Sequence, residues 1–179
     1  MELTHSRTWK NLQTAFEGES KACSKYLIFE LKARDDGYEQ MGNIFHETAM
    51  NEREHAEIWY KWLHGRTMPD TLHNLCDAAA GEEYEWREMY KNFAATAREE
   101  GFSDLAGLFE RVGAVERHHD ARYRKLAENI HKDEVFCKPC ERVWICMVCG
   151  HVTYGECAPG RCPICGHPKA FAELKADNY

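Results

Sequence analysis

The first 130 residues repeat apolar side chains at steps of three and four, which is the pattern of amphipathic helices. From Thr8 to about Ile130 the chain is rich in Ala, Glu, Lys, Leu and Met, and Pro69 is its only proline. Helix breaks are predicted at residues 35–37, 65–70 and 101–103. They divide the segment into four helices of about 25–30 residues, joined by two tight turns and one longer middle connection.

The pattern changes after Lys132, where Gly, Pro and Cys become frequent and short segments at 142–145 and 151–154 have the composition of strands. We therefore predict a mainly α chain with two domains. Residues 1–133 form a four-helix bundle with one long crossover, as in ferritin-like folds, and residues 134–179 form a small domain of short β-strands.

Each helical stripe that should face the core carries a glutamate near its middle. These residues are Glu19, Glu52, Glu82 and Glu116. A buried carboxylate is costly unless a cation compensates it. Two of the four begin Glu-x-x-His pairs, which place His55 and His119 one turn further along the same face. One Glu on each of two helices, with Glu-x-x-His on the other two, is the ligand set of dinuclear carboxylate bundles.

The two halves of the helical segment resemble each other. Glu19 precedes Glu52 by 33 positions, and Glu82 precedes Glu116 by 34, which predicts a pseudo-twofold pair of helical hairpins. Glu85 is an additional carboxylate, interpreted either as a surface residue, as an acceptor beside the ligands, or as a ligand that alternates with His55. Two interpretations are open for Tyr26 and Tyr90, which either pack near the ligand layer or donate hydrogen bonds to it.

Nine cysteines in a chain of 179 residues, most of them closely spaced, favour metal binding over a disulfide framework. Two Cys-x-x-Cys-Gly knuckles, twelve residues apart, predict a tetrahedral sulfur site for zinc or iron. Its ligands are Cys146, Cys149, Cys162 and Cys165. A third pair, Cys137 and Cys140, could compete for that metal or form a redox disulfide. The remaining thiols, Cys23, Cys76 and Cys157, are interpreted as structural or incidental.

The net charge of −7 argues against a nucleic-acid partner, because phosphate binding requires clustered Lys and Arg. The excess acid lies in residues 1–133, with 18 basic and 25 acidic side chains, as expected if several glutamates hold metal. No apolar run reaches the ~20 residues that cross a bilayer, and the first residues lack the features of a secretory signal. We expect a cytoplasmic protein without membrane association.

Long segments of the chain resemble the rubrerythrin family. The matching segments are 16–22, 51–56, 80–86, 96–102 and 115–119, and residues 144–166 resemble the family's rubredoxin-like domain. The resemblance implies a non-haem di-iron peroxidase that reduces hydrogen peroxide in oxidative-stress defence, with electrons relayed through a rubredoxin-type iron.

The resemblance also implies roles for individual residues. The implied di-iron ligands are Glu19, Glu52, His55, Glu82, Glu85, Glu116 and His119. Glu85 and His55 correspond to the pair that exchange on one iron, and Tyr26 and Tyr90 also match. The implied partners are a second copy of the chain in a homodimer and an electron donor, either an NAD(P)H-dependent rubredoxin reductase or free rubredoxin. Cys137, Cys140 and Cys157 depart from the family's pattern.

Two other functions remain open at this point. The bundle could be a ferroxidase or iron-storage unit, although such a protein does not need a built-in electron relay. The C-terminal domain could instead hold zinc and bind a protein, which would remove the electron path.

Overall fold

The computed structural model describes residues 2–177, which form two compact units that divide between Pro69 and Asp70. Within the described residues, long helices account for most of the chain and a small antiparallel sheet follows them. The predicted fold class, mainly α with a small C-terminal β domain, is confirmed.

The first unit is a hairpin of two helices, α1 (Arg7–Asp35) and α2 (Glu39–Leu63), after a short 3-10 turn. The side chain of Ser6 caps α1 by accepting a hydrogen bond from the backbone N–H of Trp9 at 3.2 Å. The turn to α2 contains Gly37 in a left-handed conformation with φ of 82°. Small buried residues, Ala33 on α1 and Ala49 and Ala56 on α2, allow the helices to approach closely.

The second unit begins with a helical rod in three parts, α3 (Thr71–Tyr84), a five-residue π-helical segment (Glu85–Met89) and α4 (Tyr90–Glu99). Asp70 caps α3 by accepting from the backbone N–H of His73 at 2.8 Å. The rod packs against α5 (Ser103–His131). Four buried alanines line this contact: Ala79, Ala94, Ala97 and Ala106.

The predicted helix breaks are confirmed, and the connection between α2 and α3 is the longest of the three. The π-helical segment was not predicted, since the sequence pattern indicated one uninterrupted helix. Among residues 2–177, no helix is both long and apolar enough to span a membrane.

The sheet has three antiparallel strands in the order β2-β1-β3, with β1 at Cys137–Cys146, β2 at Val152–Cys157 and β3 at Ala172–Leu174. Trp144 on the central strand is 1% exposed, and its indole N–H donates to the carbonyl of Gly155 at 3.0 Å. β1 includes the predicted strand 142–145, and β2 begins one residue after the start of the predicted strand 151–154 and continues to Cys157. α5 ends at His131 and β1 begins at Cys137, so the predicted domain boundary at residue 133 lies between these two elements. The boundary itself stays a prediction.

Candidate metal centres

The first hairpin brings one of the predicted ligand groups together. Donor atoms of Glu19, Glu52 and His55 all lie within 4.8 Å of one another. The Nδ1 atom of His55 is 2.9 Å from a carboxylate oxygen of Glu52 and 3.8 Å from one of Glu19. Both carboxylates are largely shielded from solvent, with side chains 18% and 28% exposed. The spacing Glu-x-x-His achieves this because residues three apart on a helix share one face.

The second unit repeats the arrangement with Glu82, Glu116 and His119, whose donor atoms again lie within 4.8 Å of one another. The Nδ1 atom of His119 is 2.7 Å from Glu116 and 3.6 Å from Glu82. Burial, followed by the charge of Glu116, raises the pKa of Glu82 above its usual value. A cation between the two carboxylates would relieve this repulsion, so the residues present fit a metal ion.

A triad of aromatic side chains is repeated in the two units. The first unit holds Tyr26, Phe29 and Phe45, with ring centroids 5.6–6.3 Å apart. The second unit holds Tyr90, Phe93 and Phe109, with centroids 5.6–6.2 Å apart. Both triads therefore have nearly the same dimensions, and the repeat predicted for the carboxylates extends to these aromatic residues.

The π-helical segment explains why the two halves differ by one residue. Tyr26 follows Glu19 by seven positions, whereas Tyr90 follows Glu82 by eight. In both halves the glutamate of the Glu-x-x-His pair, Glu52 or Glu116, follows the last aromatic residue by seven positions. The extra residue therefore lies between Glu82 and Tyr90, where the wider π turn at Glu85–Met89 accommodates it.

Glu85 begins the π-helical segment, but it does not belong to the close group of Glu82, Glu116 and His119 among the described residues. Its charge still acts on the site, since it contributes to the raised pKa of Glu82. Burial, and then the charges of Glu85, Glu116 and Glu82, raise the pKa of Tyr90. Tyr90 thus lies beside the carboxylates as a neutral phenol. The alternation between Glu85 and His55 stays a prediction.

A buried polar network beside the second ligand group was not predicted. Asp120, next to His119 in sequence, is 7% exposed and accepts a hydrogen bond from the indole N–H of Trp86 at 3.0 Å. Arg124 donates to Asp120 at 2.5 Å and to Glu83 at 2.6 Å. The i,i+4 spacing of Asp120 and Arg124 on α5 was the available sequence signal. The network fixes α5 against the π-helical segment at the level of the ligands.

The two cysteine knuckles form a compact sulfur cluster. Its four members, Cys146, Cys149, Cys162 and Cys165, have sulfur atoms within 4.8 Å of one another. The sulfur of Cys146 is 3.7 Å from that of Cys165, and the sulfur of Cys149 is 3.6 Å from that of Cys162. A tetrahedron with metal–sulfur bonds of about 2.3 Å has edges of about 3.8 Å. The cluster therefore fits one tetrahedral ion without rearrangement.

The knuckles have nearly identical backbone geometry. Gly150 and Gly166 adopt left-handed conformations with φ of 74° and 73°, and their N–H groups donate to the carbonyls of the first cysteine in each knuckle at 2.8 and 2.9 Å. His151 and His167 follow these glycines, and their carbonyls accept from the same two cysteines at 2.9 and 2.8 Å. Both turns therefore present their thiols in the same way.

Backbone N–H groups make the first cysteine of each knuckle acidic. The N–H groups of Cys149 and Val148 lower the pKa of Cys146. The N–H of Cys165 lowers the pKa of Cys162 to about 6. The N–H of His167 also lowers the pKa of Cys165, but burial and the neighbouring thiols outweigh it and raise that pKa to about 12. Four adjacent thiols thus resist full ionisation unless a cation balances their charge.

Two of the remaining cysteines are joined. Cys137 and Cys157 form a disulfide across β1 and β2, with their Cα atoms 4.0 Å apart. Cys157, interpreted from the sequence as a structural or incidental thiol, is therefore not a free thiol but a disulfide partner. The physical reason is the strand register, which places the two residues directly opposite each other. Cys140 is free and exposed, as is Cys76, and Cys23 is free and half-buried.

Comparison with known families agrees with this geometry. The rubrerythrin family model matches residues 10–127 and 73–144, and the model for the rubrerythrin rubredoxin-like domain matches residues 144–172. The chain belongs to the rubrerythrin family. Rubrerythrin from Nitratidesulfovibrio vulgaris is 42% identical over 188 residues and covers 99% of this chain and 98% of its own length. Rubrerythrin-1 from Clostridium acetobutylicum is 40% identical over 192 residues with the same coverage.

A solved structure of nigerythrin in a mixed-valence state is also similar, with 32% identity and a TM-score of 0.36. It covers 95% of this chain and 87% of its own. As a rubrerythrin-family protein, the chain has a di-iron site and a rubredoxin-like iron site as its cofactors. The Glu/His groups and the four-sulfur cluster are the residues that fit them.

Proposed function

We propose that this rubrerythrin-family oxidoreductase reduces hydrogen peroxide to water, with electrons entering through the four-cysteine iron. The observation that carries the proposal is that one chain holds both types of metal site, two Glu2His groups and one tetrahedral thiol cluster. The overall reaction consumes one peroxide, two protons and two electrons and yields two waters. A bound pair of irons supplies the two electrons together, and a thiolate iron replaces them one at a time.

The protein's own residues hold and balance the site. Glu52 and Glu116 each lie under 3 Å from the Nδ1 atom of the histidine one turn away, which keeps both imidazoles directed at the carboxylates. Since these contacts occur within single helices, each Glu–His pair is organised before metal binds. This preorganisation favours a fixed coordination geometry through the reaction.

Tyr90 is the residue best placed to donate a hydrogen bond within the site. The same burial and negative charge that raise its pKa keep its phenol protonated at neutral pH. A neutral phenol beside carboxylates can donate its O–H to an oxygen atom that gains charge as the O–O bond breaks. Tyr26 lies in the matching position of the first unit. We propose that both tyrosines serve in this way.

The partners follow from the same chemistry. The chain has no Gly-rich dinucleotide fingerprint, so a separate reductase or free rubredoxin must deliver electrons to the cysteine cluster. We propose a cytoplasmic homodimer as the working form. Exposed apolar side chains on the hairpins, such as Ile28 at 63% and Ile44 at 56%, support association, because such surfaces are normally covered. Native mass spectrometry of the iron-loaded protein tests the dimer.

The decisive experiment follows the visible spectrum of dithionite-reduced, iron-loaded protein as hydrogen peroxide is added without oxygen. We expect the di-iron and thiolate-iron bands to reoxidise quickly and with near-stoichiometric peroxide. In a parallel experiment, dioxygen should act much more slowly. Faster reaction with dioxygen, together with a thiolate-iron band that does not respond to peroxide, would instead support ferroxidase or iron-storage activity.

A further inference from the structure

Three cysteines of the C-terminal sheet lie outside the metal cluster. Cys137 is bonded to Cys157, and Cys140, three residues after Cys137, is a free thiol. We propose that these three cysteines form a thiol–disulfide exchange site, separate from the iron centres, whose substrate is an external dithiol reductant. The proposal does not depend on the peroxidase function.

Cys140 lies in an irregular segment of β1 that begins at the disulfide. Cys137 pairs with Cys157 and Arg142 pairs with Gly155, so five steps along β1 face only two steps along β2. A straight strand would separate Cys137 and Cys140 by about 10 Å. Disulfide formation needs a Cα separation below about 7 Å. β1 therefore has three more residues than β2 between the paired positions, and these residues form a bulge. In a bulge, the distance of about 10 Å between Cys137 and Cys140 expected for a straight strand does not apply.

The three sulfur-bearing residues are open to a reagent. Cys140 and Cys157 are exposed, and Cys137 is half-buried. The neighbours of Cys140 in the bulge, Pro139 and Glu141, line an open groove of about 600 Å³. An external thiol can therefore approach the bulge, and this distinguishes the site from the metal cluster, in which Cys146 and Cys162 are buried.

The sheet can open this bond without unfolding. Four consecutive residue pairs, from Arg142 opposite Gly155 to Ile145 opposite Val152, hold β1 to β2 beyond the bulge. The backbone N–H of Ala158 donates to the carbonyl of Phe136 at 2.8 Å, on the far side of the disulfide. Backbone hydrogen bonds on both sides thus keep Cys137 and Cys157 near each other when the S–S bond is broken.

The exchange reaction is balanced without any further reagent. The thiolate of Cys140 attacks the sulfur of Cys137, an S–S bond forms between them, and Cys157 leaves as a thiolate that takes up the proton lost by Cys140. Reduction of either disulfide then takes two electrons and two protons from the dithiol, which becomes a disulfide itself. The cysteines of the cluster take no part.

Disulfide mapping tests the site directly. In the zinc-loaded protein, zinc protects four of the nine cysteines and the disulfide occupies two, which leaves Cys23, Cys76 and Cys140 reactive. The double variant C23S/C76S therefore has one reactive thiol to follow. This protein is equilibrated with mixtures of reduced and oxidised dithiothreitol, trapped with N-ethylmaleimide and digested with trypsin.

The two disulfides give different products. Trypsin cleaves after Lys132, Arg142 and Arg161 but not between Lys138 and Pro139, so Cys137 and Cys140 stay on one peptide and Cys157 lies on the next. A Cys137–Cys157 bond joins two peptides and leaves Cys140 alkylated, whereas a Cys137–Cys140 bond stays within one peptide. We expect both products in measurable amounts, because the attack of Cys140 on the disulfide is reversed when Cys157 attacks the new bond.

Two further variants separate exchange from a purely structural disulfide. In the same background, C157S should still form the Cys137–Cys140 bond, and C140S should show only Cys137–Cys157. The zinc content, measured in parallel, should be equal in all three proteins. If the Cys137–Cys140 bond is absent in every redox mixture and in C157S, the disulfide is structural and the proposal is wrong.

Discussion

The substitution Gly113→Ala tests whether the stability of the fold requires α5 to lie close to Tyr90, the residue that follows the π-helical segment. Gly113 is buried on α5, and a Cβ atom built there would lie 3.1 Å from the Cβ of Tyr90. That contact is tighter than normal carbon packing, and the Cβ of Tyr90 cannot rotate away because it is fixed to the backbone. The two helices must separate to accept the methyl group.

Two opposing effects set the magnitude. Replacing Gly by Ala inside a helix stabilises the folded state by about 1 kcal/mol. Overpacking a tight contact destabilises it by about 1–3 kcal/mol. Gly81 on α3 provides a matched control, because nothing lies within 4 Å of the position a Cβ would take. We therefore expect Gly113→Ala to unfold with a free energy lower than that of Gly81→Ala by about 1–3 kcal/mol.

The assay is urea unfolding of metal-free protein, followed by far-ultraviolet circular dichroism, since bound metal would add its own binding energy to the stability. Iron-loaded Gly113→Ala should also show altered di-iron absorption, because Tyr90 lies beside the ligands, whereas Gly81→Ala should keep the wild-type spectrum. Equal stability of the two variants would mean that α5 does not rest on Tyr90.

Three further predictions concern other parts of the molecule. Asp120→Ala should destabilise the protein by about 1–3 kcal/mol by leaving the indole N–H of Trp86 without its acceptor, and Asp120→Asn by less, as measured by urea unfolding; equal losses would contradict this account. Ser6→Ala and Asp70→Ala should each cost about 1 kcal/mol through loss of a helix cap. Thermal melting checks both, and an unchanged Tm would mean that the cap is replaced by water. Cys162→Ser should abolish the thiolate-iron absorption and peroxide turnover while single-turnover reoxidation of the di-iron site continues; full turnover in this variant would exclude the proposed electron path.

Local chemistry explains which features could be predicted from the sequence. Glu52 and His55 lie together because a single helix places residues three apart on one face, whatever the rest of the chain does. The knuckle around Cys146 and Cys149 likewise depends on a turn closed by its own glycine, Gly150. In each case the spacing determines the geometry, so a short segment carries the whole signal.

The disulfide could not be predicted in this way. Cys137 and Cys157 are 20 residues apart, and they meet only because the hairpin register places them opposite each other. The nearer candidate, Cys140, forms a more familiar sequence motif with Cys137 but lies in the bulge. The sequence spacing favours cysteines that are close along the chain, whereas strand pairing determines which sulfur atoms meet in the sheet.

The π-helical segment shows that a small numerical mismatch can contain structural information. The interval from Glu19 to Glu52 is 33 residues and that from Glu82 to Glu116 is 34, a difference too small to predict a change of helix type. Two hairpins with identical aromatic triads cannot differ by one residue unless some turn absorbs it. The turn that does so begins at Glu85, a carboxylate whose equivalent position in the first half is Ala22. The insertion thus preserves the repeated packing and also adds a charged side chain beside one ligand group. The two ligand groups are therefore chemically unequal.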